Sequence, residues 1–172
     1  VTFQTEAGGL PADISLRAER PEDRPFLLAL FASIRTAELE ALPWTGEQKL
    51  DFIQQQFDLQ WNHYRQHYLT AEWLVIERAG EPIGRLYLET TTVEVRLMDI
   101  ALIDAERNHG LGTALLRTVI AHAERLGLPV GLHVEPFNPA LHLYQRFGFQ
   151  PGEMRGIYCF MTRPPGSLDP LS

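Results

Sequence analysis

The sequence predicts one α/β (α+β) domain: a mostly antiparallel, mixed central sheet flanked by about four helices. Three observations predict it. Segments of strand length and character recur at ISLRAER, EWLVIER, PIGRLYLE and IYCFMT, bounded by turn residues. Long stripes at helical spacing stand between them. One of these helices, 110–126, joins strand 93–103 to strand 130–135 as a βαβ unit, which makes those two strands parallel inside a sheet otherwise built from hairpins. No repeat, linker or low-complexity segment divides the 172 residues, a length suited to one domain.

The elements follow in order. Residues 1–12 read as a loose arm, and 13–163 as the domain. After the first strand from Ile14, Pro21, Glu22 and Asp23 are favoured in a helix's first turn, and Leu27, Leu30, Phe31 and Ile34 continue at helical spacing. This helix stops before Pro43, since a residue preceding proline is pushed out of the α region. A second helix starts near Gly46, with Leu50, Ile53, Phe57, Trp61, Tyr64 and Tyr68 on one stripe. Ala79-Gly80-Glu81 turns one hairpin. Helix 110–126 ends at Gly127, with Pro129 blocking continuation. A short helix near Pro139 places Ala140, Tyr144 and Phe147 on one face. The last strand material precedes a Pro-rich tail, 164–172.

Composition narrows the function. Fifteen basic against twenty-two acidic residues give a net charge of −7 at pH 7, a poor field for general nucleic-acid binding and a lean toward a small cationic substrate. Cys159 is the only cysteine, so no internal disulfide or cysteine-rich metal site forms. No apolar run spans a bilayer, and the opening VTFQTEAGGLPAD does not read as a signal peptide. These features point to a cytoplasmic protein that binds neither membrane nor nucleic acid. His63 and His67 share a helix face, but no HExxH or cysteine accompanies them, so no metal is expected.

Chemistry concentrates in IALIDAERNHGLGTALL, residues 100–116. A strand runs into a turn holding Arg107, Gly110 and Gly112, and a helix leaves at once. Glycines let the backbone approach a ligand, and the helix's first N–H groups lack internal partners. With the helix dipole they suit an anion such as a pyrophosphate, to which Arg107 adds a charge-assisted contact. The GxxxxGK[ST] loop is absent and HGLGTA does not match the GxGxxG fingerprint, so nucleotide-loop readings fall away.

Here the chain resembles a known family. Arg107–Gly112 looks like the R/Q-x-x-G-x-G/A signature of the GCN5-related N-acetyltransferases (GNAT). A second block, HVEPFNPALHLYQRFGF at 133–149, resembles the family's strand–Asn–helix–Tyr–GF segment through Asn138, Ala140, Tyr144, Gly148 and Phe149. The likeness is strongest over about 73–160. One departure is Asn108 where many relatives carry glycine, and asparagine tolerates left-handed angles better than most residues.

The resemblance implies a GNAT-like fold with a splayed parallel strand pair, and acetyl transfer from acetyl-CoA directly to a primary amine. The backbone at Ala101, Leu102 and Ile103 would pair with the pantetheine arm, with an amide near Leu102 polarising the thioester carbonyl. Backbone N–H groups of Asn108, His109, Gly110, Leu111, Gly112 and Thr113 would cradle the pyrophosphate. Asn138 matches a residue often close to the cofactor, and Tyr144 the general acid toward the CoA thiolate. An amine is mostly protonated at neutral pH, so a base is useful. Asp99 is the first candidate, Glu135 the second and Glu94 a distant third. His133 could assist a proton relay. Glu38 or Glu40 and Trp44 are candidate acceptor contacts. The acceptor is a small-molecule or protein amine, and homodimers through strands such as 157–162 are common in the family. A module that binds acyl-CoA without turning it over is the rival reading.

Overall fold

The computed structural model describes residues 2–136, Asn138 and 140–167 (the Glu6 side chain excepted). Five helices are α1 (Phe3–Glu6), α2 (Arg24–Glu40), α3 (Gly46–His67), α4 (Leu111–Leu126) and α5 (Ala140–Arg146). Seven strands are β1 (Ile14–Ala18), β2 (Ala71–Arg78), β3 (Glu81–Thr90), β4 (Val95–Leu102), β5 (Val130–Val134), β6 (Gln150–Arg155) and β7 (Tyr158–Arg163). They form one sheet in the order β1-β2-β3-β4-β5-β7-β6, antiparallel except for β4 and β5.

Local chemistry explains the boundaries. The β2–β3 hairpin turns through Ala79 at φ 51° and Gly80 at φ 84°, both left-handed. Thr91 delays β4: its hydroxyl accepts the N–H groups of Val93 and Glu94, making a turn before Val95 enters the sheet. Gly127 closes α4 at φ 68°, its N–H reaching the carbonyls of Ala123 and Glu124. Thr45 and Gln48 form a reciprocal capping box at the start of α3. Tail residues 168–172 lie outside the described residues.

Two corrections arise. The segment read as a loose arm is docked. Phe3 is fully buried and meets His122 edge-on at 5.3 Å, and the N–H groups of Phe3 and Gln4 donate to the Glu72 carboxylate at 2.9 and 3.0 Å. The helix is four residues long, too short to show a period, so its anchoring depends on distant partners. On α3, Leu50 is 67% exposed, whereas Ile53 and Phe57 are buried. Phe52 instead packs on the cluster of Leu27, Phe31, Leu39, Ile53 and Phe57 that joins α2 to α3.

The entry to α2 is tied electrostatically. Asp23, 6% exposed, takes two bonds from Arg17 at 2.7 and 2.8 Å and one from the Arg20 N–H at 2.7 Å. The Arg17 guanidinium, helped by the Arg20 N–H, holds this carboxyl below its ordinary value. Its stabilisation is therefore present above the ordinary 3.8 and lost as pH falls through the lower folded value. Asp23→Asn should cost about 1–2 kcal/mol near neutrality, by removing two charge-assisted bonds from Arg17, which keeps Glu77 at 2.9 Å. Denaturant titrations of both proteins at pH 7 and pH 3 should show the gap narrowing in acid.

What positions the site is the parting of β4 from β5. They pair only at Val95–Val130 and Arg96–Gly131. Beyond that β4 carries a bulge at Met98, since Tyr87 opposes Asp99 while Leu88 opposes Leu97. A bulge bends its strand and ends regular pairing. The far half of β4 therefore has backbone groups that β5 does not reach. Gly84 fixes that half from the β3 side: a Cβ there would lie 2.3 Å from the Ala101 carbonyl oxygen and 2.9 Å from Leu102 Cδ2. Gly84→Ala should destabilise the fold by about 2 kcal/mol or more through overpacking, read as a lower denaturation midpoint.

Candidate active site

The turn between β4 and α4 has the backbone an anion needs. Asn108 at φ 63° and Gly110 at φ 84° are both left-handed, the first as its tolerance for that region led one to expect. The first intrahelical bond runs from the Ala114 N–H to the Gly110 carbonyl at 3.0 Å. The N–H groups just before it have no partner within the helix. Among the described residues, apart from the adjoining backbone, no atom lies within 4 Å of where a Cβ would stand at Gly110 or Gly112, so the approach is open.

A cavity of about 500 Å³ joins this turn to the β4 edge and to α5. Ala101, Leu102, Arg107, Asn108, Gly110, Gly112, Thr113, Asn138 and Tyr144 line it, together with Ile34, Ile100 and Leu116. Three other sequence candidates stand differently. Leu111 is buried in the core below the turn, Ile103 packs against that core while its N–H bonds to Ile83, and His109 is exposed. Arg107 is more occupied than expected. Its Nε donates to the Leu102 carbonyl at 2.9 Å, and its Nη1 pairs with Asp104 at 3.4 Å. It staples the turn to the end of β4 as well as lining the cavity.

Asn138 begins α5: its side-chain oxygen accepts the Ala140 N–H at 2.9 Å. This sets the direction in which α5 presents Tyr144. The Tyr144 ring packs on Phe149 with centroids 5.6 Å apart. Burial, and secondarily the Asp99 charge, push its hydroxyl up to about 12, so it is a protonated donor throughout the neutral range.

Asp99 opens the other side of β4. Its carboxylate accepts Arg85 Nε at 2.6 Å, and Arg85 Nη2 also donates to Gln60 of α3 at 2.8 Å. Arg85 is only 4% exposed, so this is a buried guanidinium holding a half-buried acid. Arg85 was missed from sequence, although a lone arginine inside the apolar run PIGRLYLE was its signal. Tyr64 shares the neighbourhood. Burial first, then Asp99, raise its hydroxyl well above the usual tyrosine range. Arg35 of α2 also feels Asp99 and Arg85, while burial lowers its guanidinium from the ordinary value.

The remaining candidates stand apart from the cavity lining. Glu135 is exposed just past β5, and Glu94 pairs with Arg96 at 2.6 Å. His133 lies against Phe160 with Arg155 beside it, and burial followed by the Arg96 and Arg155 charges lowers its pKa. Glu38 and Glu40 are exposed on α2, and Trp44 meets Phe52 edge-on at 5.2 Å. His63 and His67 stack on each other at 4.2 Å. Among the described residues no group of three metal-ligating side chains occurs, and no helix is long and apolar enough to cross a membrane.

A parting parallel strand pair, with a glycine turn and an aromatic hydroxyl facing one cavity, defines the class of acyltransferase folds that the sequence resembles. Residues 31–149 match the model of the acetyltransferase (GNAT) family, and the chain belongs to that family. A Bacillus subtilis protein named as a ribosomal protein bS18-alanine N-acetyltransferase is 32% identical over 93 residues, which is 51% of this chain and 60% of that protein's own length. The PaiA N-acetyltransferase of Thermoplasma acidophilum, solved with coenzyme A, shares the fold with a TM-score of 0.65 at 18% identity, over 88% of this chain and 98% of its own. The ribosomal-protein-S18-alanine N-acetyltransferase of Escherichia coli does so with a TM-score of 0.59 at 20% identity, over 92% and 99%.

Proposed function

We propose that this chain transfers an acetyl group from acetyl-CoA to a primary amine. The observation that carries the reading is the meeting of the open glycine turn, the unpaired edge of β4 and Tyr144 in one cavity. The turn N–H groups from Asn108 to Thr113 hold the pyrophosphate. The β4 backbone at Ala101–Ile103 takes the pantetheine arm as an added strand, and a backbone amide near Leu102 polarises the thioester carbonyl. The coenzyme-A complex of the Thermoplasma neighbour and the family match support this cofactor.

In the transfer the amine nitrogen attacks the thioester carbon, the C–N bond forms, and the C–S bond breaks. Tyr144 donates its proton to the departing thiolate. The amine gives up a proton on the opposite side, where Asp99 is the acceptor we favour. Its carboxylate, held by Arg85 at 2.6 Å, orients the amine and passes the proton on through water. Glu135, exposed beyond the end of β5, is the weaker alternative. The proton released by the amine returns through water to the Tyr144 phenolate, and the acetyl amide and free CoA leave as products.

A relative named as a ribosomal protein bS18-alanine N-acetyltransferase supports a protein or peptide amine as one acceptor class, beside small amines. The test is release of the CoA thiol from acetyl-CoA in the presence of an amine panel that includes peptides with free N-terminal alanine. Multiple turnovers with at least one amine are expected. Protein that binds acetyl-CoA yet turns over none of them would mark a binding module instead.

A further inference from the structure

Two arginines lie within electrostatic reach of Asp99 of β4, and their chemistry narrows the acceptor. Arg85 is buried and commits Nε and Nη2 to Asp99 and Gln60. Arg35 sits on α2 next to Ile34, which lines the cavity. Its guanidinium lies 3.6 Å from the Phe31 ring centroid, which orients it without neutralising it. Among the described residues it makes no hydrogen bond or ion pair, although it is only partly exposed. The titratable groups close enough to influence it are Glu38, Asp99, Arg85 and Tyr158, and none belongs to the glycine turn. Asp99 is already claimed by Arg85. The Arg35 fork is thus a planar, weakly hydrated donor, held by an aromatic face on the helix whose adjoining Ile34 lines the cavity. Planar donors of this kind are suited to carboxylates.

We infer that Arg35 receives a carboxylate of the acceptor, so that the preferred substrate carries its amine and an acid group close together. This rests on the acetyltransferase reading and specifies its substrate. Two sources share that chemistry, the α-carboxylate of a free amino acid and the side chain of an acidic second residue in a peptide. It also runs counter to the cationic substrate suggested by net charge alone, because Arg35 is a cation whose fork is not taken up by a carboxylate among the described residues.

The experiment compares matched acceptors. Free amino acids are set against their amides, and C-terminally amidated peptides beginning Ala-Glu against those beginning Ala-Gln, with kcat/KM read from thiol release. The wild-type protein should prefer the acid by about tenfold or more in at least one of the two pairs, and the pair identifies the source. Arg35→Gln should bring the acid down to within about threefold of its amide partner, with Arg35→Lys in between. Acetyl-CoA binding by calorimetry on every variant reports on folding and on the underlying reading. A protein that binds acetyl-CoA but acetylates none of the acids, takes the amides as readily, or keeps its preference in Arg35→Gln overturns the inference. Failure of the wild-type protein to bind acetyl-CoA overturns the acetyltransferase reading itself.

Discussion

Tyr144→Phe is expected to lower kcat by about 10²-fold or more while leaving acetyl-CoA affinity close to wild type, as befits loss of a proton donor. The ring stays, so packing on Phe149 is kept, and among the described residues the hydroxyl has no hydrogen-bond partner to strand. Stability should therefore change little. The pH profile offers a second check. A group raised to about 12 stays protonated until pH climbs through that value, so the tyrosine imposes no basic limb below about pH 10. Any fall in rate at lower pH belongs to another group. Equal kcat in the phenylalanine variant would remove Tyr144 from the proton path.

The second large effect is at Gly110→Glu. The position is left-handed at φ 84°, stands at the N-terminus of α4 and faces open space. A glutamate there places a carboxylate where the pyrophosphate should bind, and acetyl-CoA affinity should fall by about 100-fold or more. Backbone strain alone contributes about 1–2 kcal/mol. Gly110→Ala, which carries the strain without the charge, separates the two causes. Calorimetric titration of both should find the alanine variant weakened only modestly. If the two variants bind alike, the turn holds no anion.

Much of this was legible from sequence because its signals are local. The glycine turn, the α4 stripe ending at Gly127 and Pro129, and the block from Asn138 to Phe149 each declare themselves within a few residues. The structure brings the first and last of these to one cavity. What stayed hidden depends on register. The Arg85–Asp99 pair joins strands whose alignment is shifted by the bulge at Met98, and no local pattern reveals such a shift. The same holds for the docking of Phe3 against His122, which brings together residues from opposite parts of the chain. Arg107 was read as a phosphate ligand from its motif, yet its carbonyl partner at Leu102 shows that it also braces the turn. Arg35 sits on an ordinary helix, and only its packing against Phe31 within reach of Asp99 gives it meaning.

The most direct test is a calorimetric titration of the wild-type protein with acetyl-CoA. Saturable binding with one molecule per chain is the expected result, and its loss in Gly110→Glu would place the cofactor where the glycine turn and the β4 edge converge. Absence of binding by protein shown to be folded would contradict the account, leaving a GNAT fold without the donor its cavity is built to hold.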